Sequence, residues 1–304
     1  MNLAFIFPGQ GCQKVGMAQD FYENSPSAKK LLDDASSALG IDFKDIMFKQ
    51  NDKLDISEFT QPAILLSSLM ALSAFKERLD ARASVLLGHS LGEFSALSAA
   101  GAFDATQGAK IVNLRGKLMA KDCDGKGAGM MVVLGLDDEK VEQICANSGK
   151  NAWPANYNCD NQLVVAGLKD DLSALEAWFK AAGAKRAMLL NMSVASHCKL
   201  LANAANALSS ALDGKITPSF ASVISNATAA PYNDATSAKQ LLKAQLTSPV
   251  LYKQSIKAVE NSVDYFVEFG ANVLCGLNKK ITQKPSIAIT DSASLEAALE
   301  ILSK

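Results

Sequence analysis

"VLLGHSLGEFSALSAAG", residues Val85–Gly101, sets a short apolar run, a Gly-x-Ser-x-Gly pentapeptide centred on Ser90 and a helix-forming segment in direct succession. Ser84–Leu87 suits a strand buried on both faces, and Glu93–Ala100 reads as a helix ended by Gly101. A serine between such elements sits on a tight strand-to-helix turn, and glycines two before and two after lift its hydroxyl clear of the sheet. The following helix aims its first amides at negative charge developing there. The pentapeptide alone is weak evidence, since chance produces one in roughly every tenth chain of this composition. The competing reading makes Ser90 a helix cap and gives the glycines to packing.

The same alternation extends along the chain. Leu3–Phe7 is a second buried apolar run, stopped by Pro8-Gly9. Ser25 as cap and Pro26 in the first turn predict a helix that stops at Gly40; Thr60–Asp80 is helical with Pro62 near its start; Asp104 caps a helix reaching Cys123. Strands alternating with helices predict an α/β fold with a central parallel sheet. From Met130 the pattern changes. Strands at Met130–Leu134, Trp153–Asn158, Leu163–Ala166 and Ala187–Leu190 and helices at Asp137–Ser148 and Asp171–Ala182 give the βαββαβ order of a ferredoxin-like unit. After Asn191 the first alternation resumes, with a helix from Ser196, a strand at Ala221–Ser225, helices around 237–260, a strand at Tyr265–Glu268 and a last helix near 294–302. The expectation is a large hydrolase-like domain from 1–124 and 194–304, interrupted by a small ferredoxin-like domain at 125–193.

Composition narrows the function classes. The 304 residues are 49% hydrophobic and 20% charged with a net charge of −1, so no basic footprint points to nucleic acid. Six cysteines at 12, 123, 145, 159, 198 and 275 show no Cys-x-x-Cys and no paired spacing, which speaks against a disulfide framework or a zinc site. The start "MNLAFIFPGQG" has too short an apolar run for a signal peptide, and no stretch is long enough to span a bilayer. A cytoplasmic monomer is expected.

A serine hydroxyl is a poor nucleophile until a base takes its proton. The chain holds two histidines. His89 adjoins Ser90 and its side chain points away on such a turn. His197, in "SVASHCKLL", falls on the stripe 197, 201, 204, 208 of the expected helix, where the dipole keeps imidazole neutral. A buried histidine bonded to the main chain is the alternative. Arg115 lies on the apolar stripe Ile111, Leu114, Leu118 and needs an anion there, either an internal carboxylate or a substrate carboxylate held by its fork.

Taken in order and at these separations, "FPGQG" (7–11), "GHSLGE" (88–93), "RGKLM" (115–119), "NYNCDNQLVVAG" (156–167), "AAGAKRAMLLNMSVASHC" (181–198) and "QLTSPV" (245–250) closely resemble the malonyl-CoA:acyl carrier protein transacylase family over essentially the whole chain. The resemblance implies an acyltransferase that loads malonyl groups for fatty acid synthesis by a ping-pong route. Ser90 matches the nucleophile, His197 the base that later returns the proton, and Gln245 the residue whose main-chain carbonyl orients the imidazole. Gln10 and Leu91 match the oxyanion amides, and Arg115 the group that forks onto the malonate carboxylate. Malonyl-CoA and acyl carrier protein are the implied partners, the latter acidic and facing lysines such as Lys117, Lys121, Lys126 and Lys185 with Arg186. No metal or other cofactor is implied.

Three departures from the family pattern stand out: Ala195 where proline is usual, "GANVLCG" at Gly270–Gly276 in place of "GPGKVL", and the turn "NCDN" in place of "NSPG". "VASH" is similar to the methylmalonyl version of the tetrapeptide, while Leu91 after the serine favours malonyl. A serine hydrolase or thioesterase, and an acyltransferase for another extender unit such as methylmalonyl, are the rival readings. Against the hydrolase, its order puts the histidine on a loop near the C-terminus.

Overall fold

The structure, a computed structural model, describes residues 1–192 and 194–303, so Ser193, the last residue of the expected insert, lies outside the described residues. The apolar runs become strands β1 (Leu3–Phe7) and β2 (Ala83–Gly88), followed by β3 (Ala128–Leu134), β4 (Ala152–Cys159), β5 (Gln162–Leu168), β6 (Arg186–Leu189), β7 (Ser219–Ile224), β8 (Pro231–Asp234), β9 (Tyr265–Phe269) and β10 (Ser286–Ile289). One sheet has the order β10-β9-β1-β2-β7-β8. It is parallel from β10 to β7, and β8 joins antiparallel. The expected central parallel sheet is present and carries one antiparallel strand at its edge. That edge is β8, a four-residue strand opening on Pro231, too short and polar to read as a strand beforehand.

β1 is buried along its whole length, and Phe5 meets Phe75 and Phe269 edge-on. Helices cover both faces. Ser25 caps the helix Pro26–Leu39 through the Ala28 amide, and Gly40 ends it with φ 64°. Asp104 caps Ala105–Cys123 through the Gln107 amide. The long helix begins at Ser57, three residues before the expected start, so Pro62 lies inside it. Proline has no N–H to offer the carbonyl four residues back. That carbonyl, of Glu58, instead accepts a 2.7 Å bond from Asn113 Nδ2 of the neighbouring helix. Three short elements, the helices Gln19–Asn24 and Phe43–Phe48 and strand β10, lay below the length at which periodicity is readable.

The second sheet, β4-β5-β3-β6, is antiparallel throughout, with the helices Asp138–Asn147 and Lys169–Ala181 packed on it. Alternate residues of β3 serve two cores. Met131 and Val133 pack with Leu172, Leu175 and Phe179, while Met130 joins the core of the first sheet. Strand β4 is tied to the large unit by backbone bonds, Tyr157 N to Val250 O at 2.9 Å and Val250 N to Ala155 O at 2.8 Å. In the hairpin that replaces the family's "NSPG", Asn161 stands at the glycine position with φ 59°. Asparagine is among the few residues that visit this left-handed region readily, so the departure preserves the turn.

The segment after Asn191 differs from expectation. No helix starts at Ser196. His197 adopts φ 60°, a left-handed conformation that breaks any helix, and a 3-10 turn (Lys199–Leu201) precedes the helix Ala202–Ala211. The stripe 201, 204, 208 is buried as expected, and His197 sits ahead of it in a turn.

Candidate active site

Three parallel strands deliver the site. β1 ends in the Pro8–Gln10 loop, β2 in the Ser90 turn, and β7 in Ser225-Asn226, all at the carboxyl edge where open α/β sheets bind ligands. The Ser90 turn carries strain, with φ 53° at the serine. It closes only because Gly92 lacks a side chain: a Cβ there falls 2.0 Å from the Phe7 carbonyl oxygen. The β1 loop also approaches closely, for a Cβ on Gly9 falls 2.5 Å from the His89 carbonyl oxygen.

Ser90 Oγ–H donates to His197 Nε2 at 2.7 Å, and His197 Nδ1–H donates to the Gln245 main-chain carbonyl at 2.7 Å. That second bond fixes the tautomer, leaving the Nε2 lone pair facing the serine. Burial, and then the Arg115 guanidinium, push His197 down to about 3. The imidazole is thus neutral, as expected, but for a different reason: no helix dipole acts on it. His89 points elsewhere, its Nε2 2.8 Å from Asn158 Oδ1, and it takes no part at the serine.

Arg115 is 1% exposed. Its Nη1 donates to Gln61 Oε1 at 2.9 Å, and its Nη2 donates to Gln245 Oε1 at 3.1 Å and Ser90 Oγ at 3.2 Å. Its Nε has no partner among the described residues, and no acidic side chain there forms an ion pair with it. An internal carboxylate in contact, the first of the two readings of Arg115, is absent among the described residues. Burial lowers the arginine to about 10, so it keeps its charge at neutral pH. The guanidinium also lies over the Phe94 ring, 5.3 Å from its centroid. A buried cation held by neutral oxygens and an aromatic face, with no carboxylate in contact among the described residues, is a ready seat for a substrate carboxylate beside the nucleophile.

Gln10 ends the β1 loop and Leu91 follows Ser90; neither main-chain amide has an acceptor among the described residues. The Gln10 side chain donates to Ser57 Oγ at 3.1 Å. A cleft of about 610 Å³, lined by Gln10, Ser57, Lys169, Leu190 and Val194, opens beside this loop. The remaining departures lie outside this constellation. Ala195 is fully buried and accepts from Cys123 Sγ, while in the "GANVLCG" segment Val273 N and Cys275 N donate to the Glu268 carboxylate.

Sequence reasoning missed a second layer. Glu93 is fully buried and accepts from Tyr232 Oη (2.7 Å), Asn226 N (3.0 Å) and Gln245 Nε2 (2.7 Å). Asn226 accepts from the Ser90 amide at 2.6 Å and donates to Gly88 O at 2.7 Å, bracing the turn. An acidic residue in a first helical turn ordinarily complements the dipole from the surface, so nothing marked Glu93 as buried. Gln61 had a signal: a glutamine within an almost unbroken apolar helix.

Comparison with known proteins agrees with this geometry. The acyl transferase domain family matches residues 4–285. Malonyl CoA-acyl carrier protein transacylase of Bacillus subtilis is 35% identical, over 99% of this chain and 97% of its own. The crystal structure of the Helicobacter pylori malonyl-CoA:acyl carrier protein transacylase superposes with a TM-score of 0.97 at 42% identity, covering 100% of this chain and 99% of that one. A malonyl-transacylase solved in complex with its type II polyketide acyl-carrier protein gives a TM-score of 0.95 at 35% identity, over 99% and 100% of the two chains. A strained serine on a strand-to-helix turn, a neutral histidine against it and, within reach, an arginine with no carboxylate partner among the described residues thus stand on a fold shared from end to end, and the chain belongs to the malonyl-CoA–acyl carrier protein transacylase family of acyl transferases.

Proposed function

We propose that this enzyme moves a malonyl group from malonyl-CoA to the phosphopantetheine thiol of acyl carrier protein through an ester on Ser90, supplying fatty acid synthesis. One observation carries the reading: Arg115, buried and without a carboxylate partner among the described residues, donates to the same oxygen that attacks. Esterified to Ser90, a malonyl group has one methylene between its carbonyl and its carboxylate, so its charge falls beside the guanidinium. A plain esterase has no use for that cation.

His197 takes the Ser90 proton as the thioester carbonyl is attacked, and the Gln10 and Leu91 amides receive the oxyanion, each donor worth ~3 kcal/mol. The tetrahedral intermediate expels the coenzyme A thiolate, which recovers the proton from His197. The carrier-protein thiol then reverses the sequence on the same groups. Oxidation states do not change, so no redox cofactor is called for, and the two amides polarise the carbonyl in the way a Lewis-acid metal would. Exposed Lys117, Lys121, Lys126, Lys185 and Arg186 offer an acidic carrier protein positive charge. The reading includes action in the cytoplasm as a monomer; every group named comes from one chain, so no second copy is needed to build the site.

The test is to mix the protein with malonyl-CoA, quench, digest and seek a malonyl adduct by mass spectrometry. An adduct on the peptide holding Gly88–Glu93, discharged by carrier protein, supports the reading. Unmodified protein, or release to water in place of carrier protein, refutes it in favour of no transfer or of a hydrolase.

A further inference from the structure

Arg115 poses a problem that its own contacts leave open. A buried guanidinium without a counter-charge is destabilising, yet a carboxylate in direct contact would fill the fork that the substrate needs. The fold separates the two by one amide. Gln245 Nε2 donates to Glu93 Oε2 at 2.7 Å and to Ser90 O at 2.9 Å. Ser90 O can only accept and Arg115 can only donate, so the amide has one possible orientation and its Oε1 faces Arg115 Nη2 at 3.1 Å. Glu93 in turn is held by three donors, from β8, the loop after β7 and the helix Ala235–Thr247.

We infer that Glu93 is a positioning residue and remote counter-charge: acting through Gln245, it compensates Arg115 without occupying it, and so sets how tightly the site holds a carboxylate-bearing acyl group. The inference rests on the reading of Arg115 as the malonyl seat. It makes Glu93 a specificity determinant that never touches substrate. A structural role predicts that losing Glu93 weakens binding of every donor. A counter-charge role predicts the opposite for malonyl, because a negative charge that competes with the substrate carboxylate has been removed.

Glu93→Gln isolates the charge. The glutamine oxygen can still accept from Asn226 N and Gln245 Nε2, while its NH₂ donates to Tyr232, whose hydroxyl can turn from donor to acceptor. Dissociation constants of malonyl-CoA and acetyl-CoA are measured by calorimetry at pH 8 for Ser90→Ala, Ser90→Ala/Glu93→Gln and Ser90→Ala/Arg115→Ala, none of which can form the ester. Loss of Glu93 should tighten malonyl-CoA about fivefold to tenfold, the low end of the coupling between linked sites, and leave acetyl-CoA within about twofold. Unchanged or weakened malonyl-CoA binding in the Glu93 variant, with Arg115→Ala still costing malonyl alone, overturns the inference. If Arg115→Ala shifts both donors equally, the malonyl seat itself is wrong.

A second measurement needs no Glu93 variant. Burial pushes the Glu93 carboxyl up to about 7 against its hydrogen-bond donors and Arg115. Its other titratable neighbour, Tyr232, is held well above 10. In Ser90→Ala, lowering the pH from 8.5 to 6 neutralises Glu93 and should raise the ratio of acetyl-CoA to malonyl-CoA dissociation constants by a similar factor. The phosphates common to both donors cancel in that ratio. A ratio that stays flat refutes the counter-charge.

Discussion

Arg115 Nη2 lies 3.2 Å from Ser90 Oγ, so the cation that receives the substrate's charge and the atom that attacks its carbonyl share one hydrogen bond. This spacing is a ruler for acyl length. Succinyl-CoA, longer by one methylene, must push its carboxylate past the guanidinium into fully buried neighbours or draw its carbonyl away from the serine. A single misfit methylene in a closed pocket costs about 10- to 200-fold. Transfer from succinyl-CoA should therefore fall at least tenfold below transfer from malonyl-CoA in initial-rate assays. Comparable rates would mean that the fork does not measure length.

The serine also strains the fold that holds it. At φ 53° a side chain is disfavoured by ~1–2 kcal/mol, and glycine is free of that penalty. Ser90→Ala and Ser90→Gly lose the same hydroxyl and its bonds to His197 and Arg115, so only the Cβ differs between them. Ser90→Gly should be the more stable by about 1 kcal/mol in denaturant titrations, with neither variant forming the acyl-enzyme. A more stable alanine variant would remove the case for strain.

How much of this was legible beforehand depended on whether the deciding contacts were local. The elbow at Ser90 was readable because strand, turn and helix are consecutive, and the capped helices Pro26–Leu39 and Ala105–Cys123 because Ser25, Gly40 and Asp104 act on their immediate neighbours. Arg115 was visible as a charge on an apolar stripe. His197 was placed in a helix because the stripe 201, 204, 208 continues backward onto it; the left-handed φ that stops the helix comes from the tertiary bonds to Ser90 and Gln245. Glu93, Asn226 and Tyr232 were invisible for the same reason. Their contacts join residues more than 130 positions apart, and no periodicity records them.

Two buried groups of opposite pKa shift should leave opposite marks on stability. His197, depressed to about 3 from 6.5, stays neutral in the fold while the unfolded chain takes up a proton below pH 6.5. Its contribution is full above 6.5 and is lost as pH falls toward 3, by about 1.4 kcal/mol per unit. Glu93, raised to about 7 from 4.5, binds its proton more readily in the fold. Its contribution is full below 4.5 and is lost as pH rises through 7. Between pH 6.5 and 4.5 the two slopes oppose each other, so the parent should vary little on their account. Denaturant titrations of His197→Gln and Glu93→Gln across this range should uncover differences from the parent of opposite sign. Slopes of the same sign would contradict the burial of one of the pair.

The most discriminating variant is at Arg115. In the parent, a donor with a free carboxylate gains a charge-assisted fork within a desolvated site, and acetyl-CoA gains nothing. Such a fork is worth ~2–4 kcal/mol, which corresponds to a malonyl preference of roughly 30-fold to a thousandfold. Arg115→Ala deletes the fork and also a buried cation that acetyl-CoA would leave unpaired. It further lifts the guanidinium's depression of His197, strengthening the base. Malonyl transfer should fall by about the full preference while acetyl transfer holds or rises. Arg115→Lys should recover malonyl transfer only in part, because an ammonium is a point charge that cannot meet both carboxylate oxygens and cannot reach Gln61, Gln245 and Ser90 together. Initial rates of transfer to carrier protein, taken with both donors for the parent and both variants, decide the matter. Equal losses with malonyl-CoA and acetyl-CoA would reduce Arg115 to a support of the fold and remove the chief physical warrant for malonyl as the substrate.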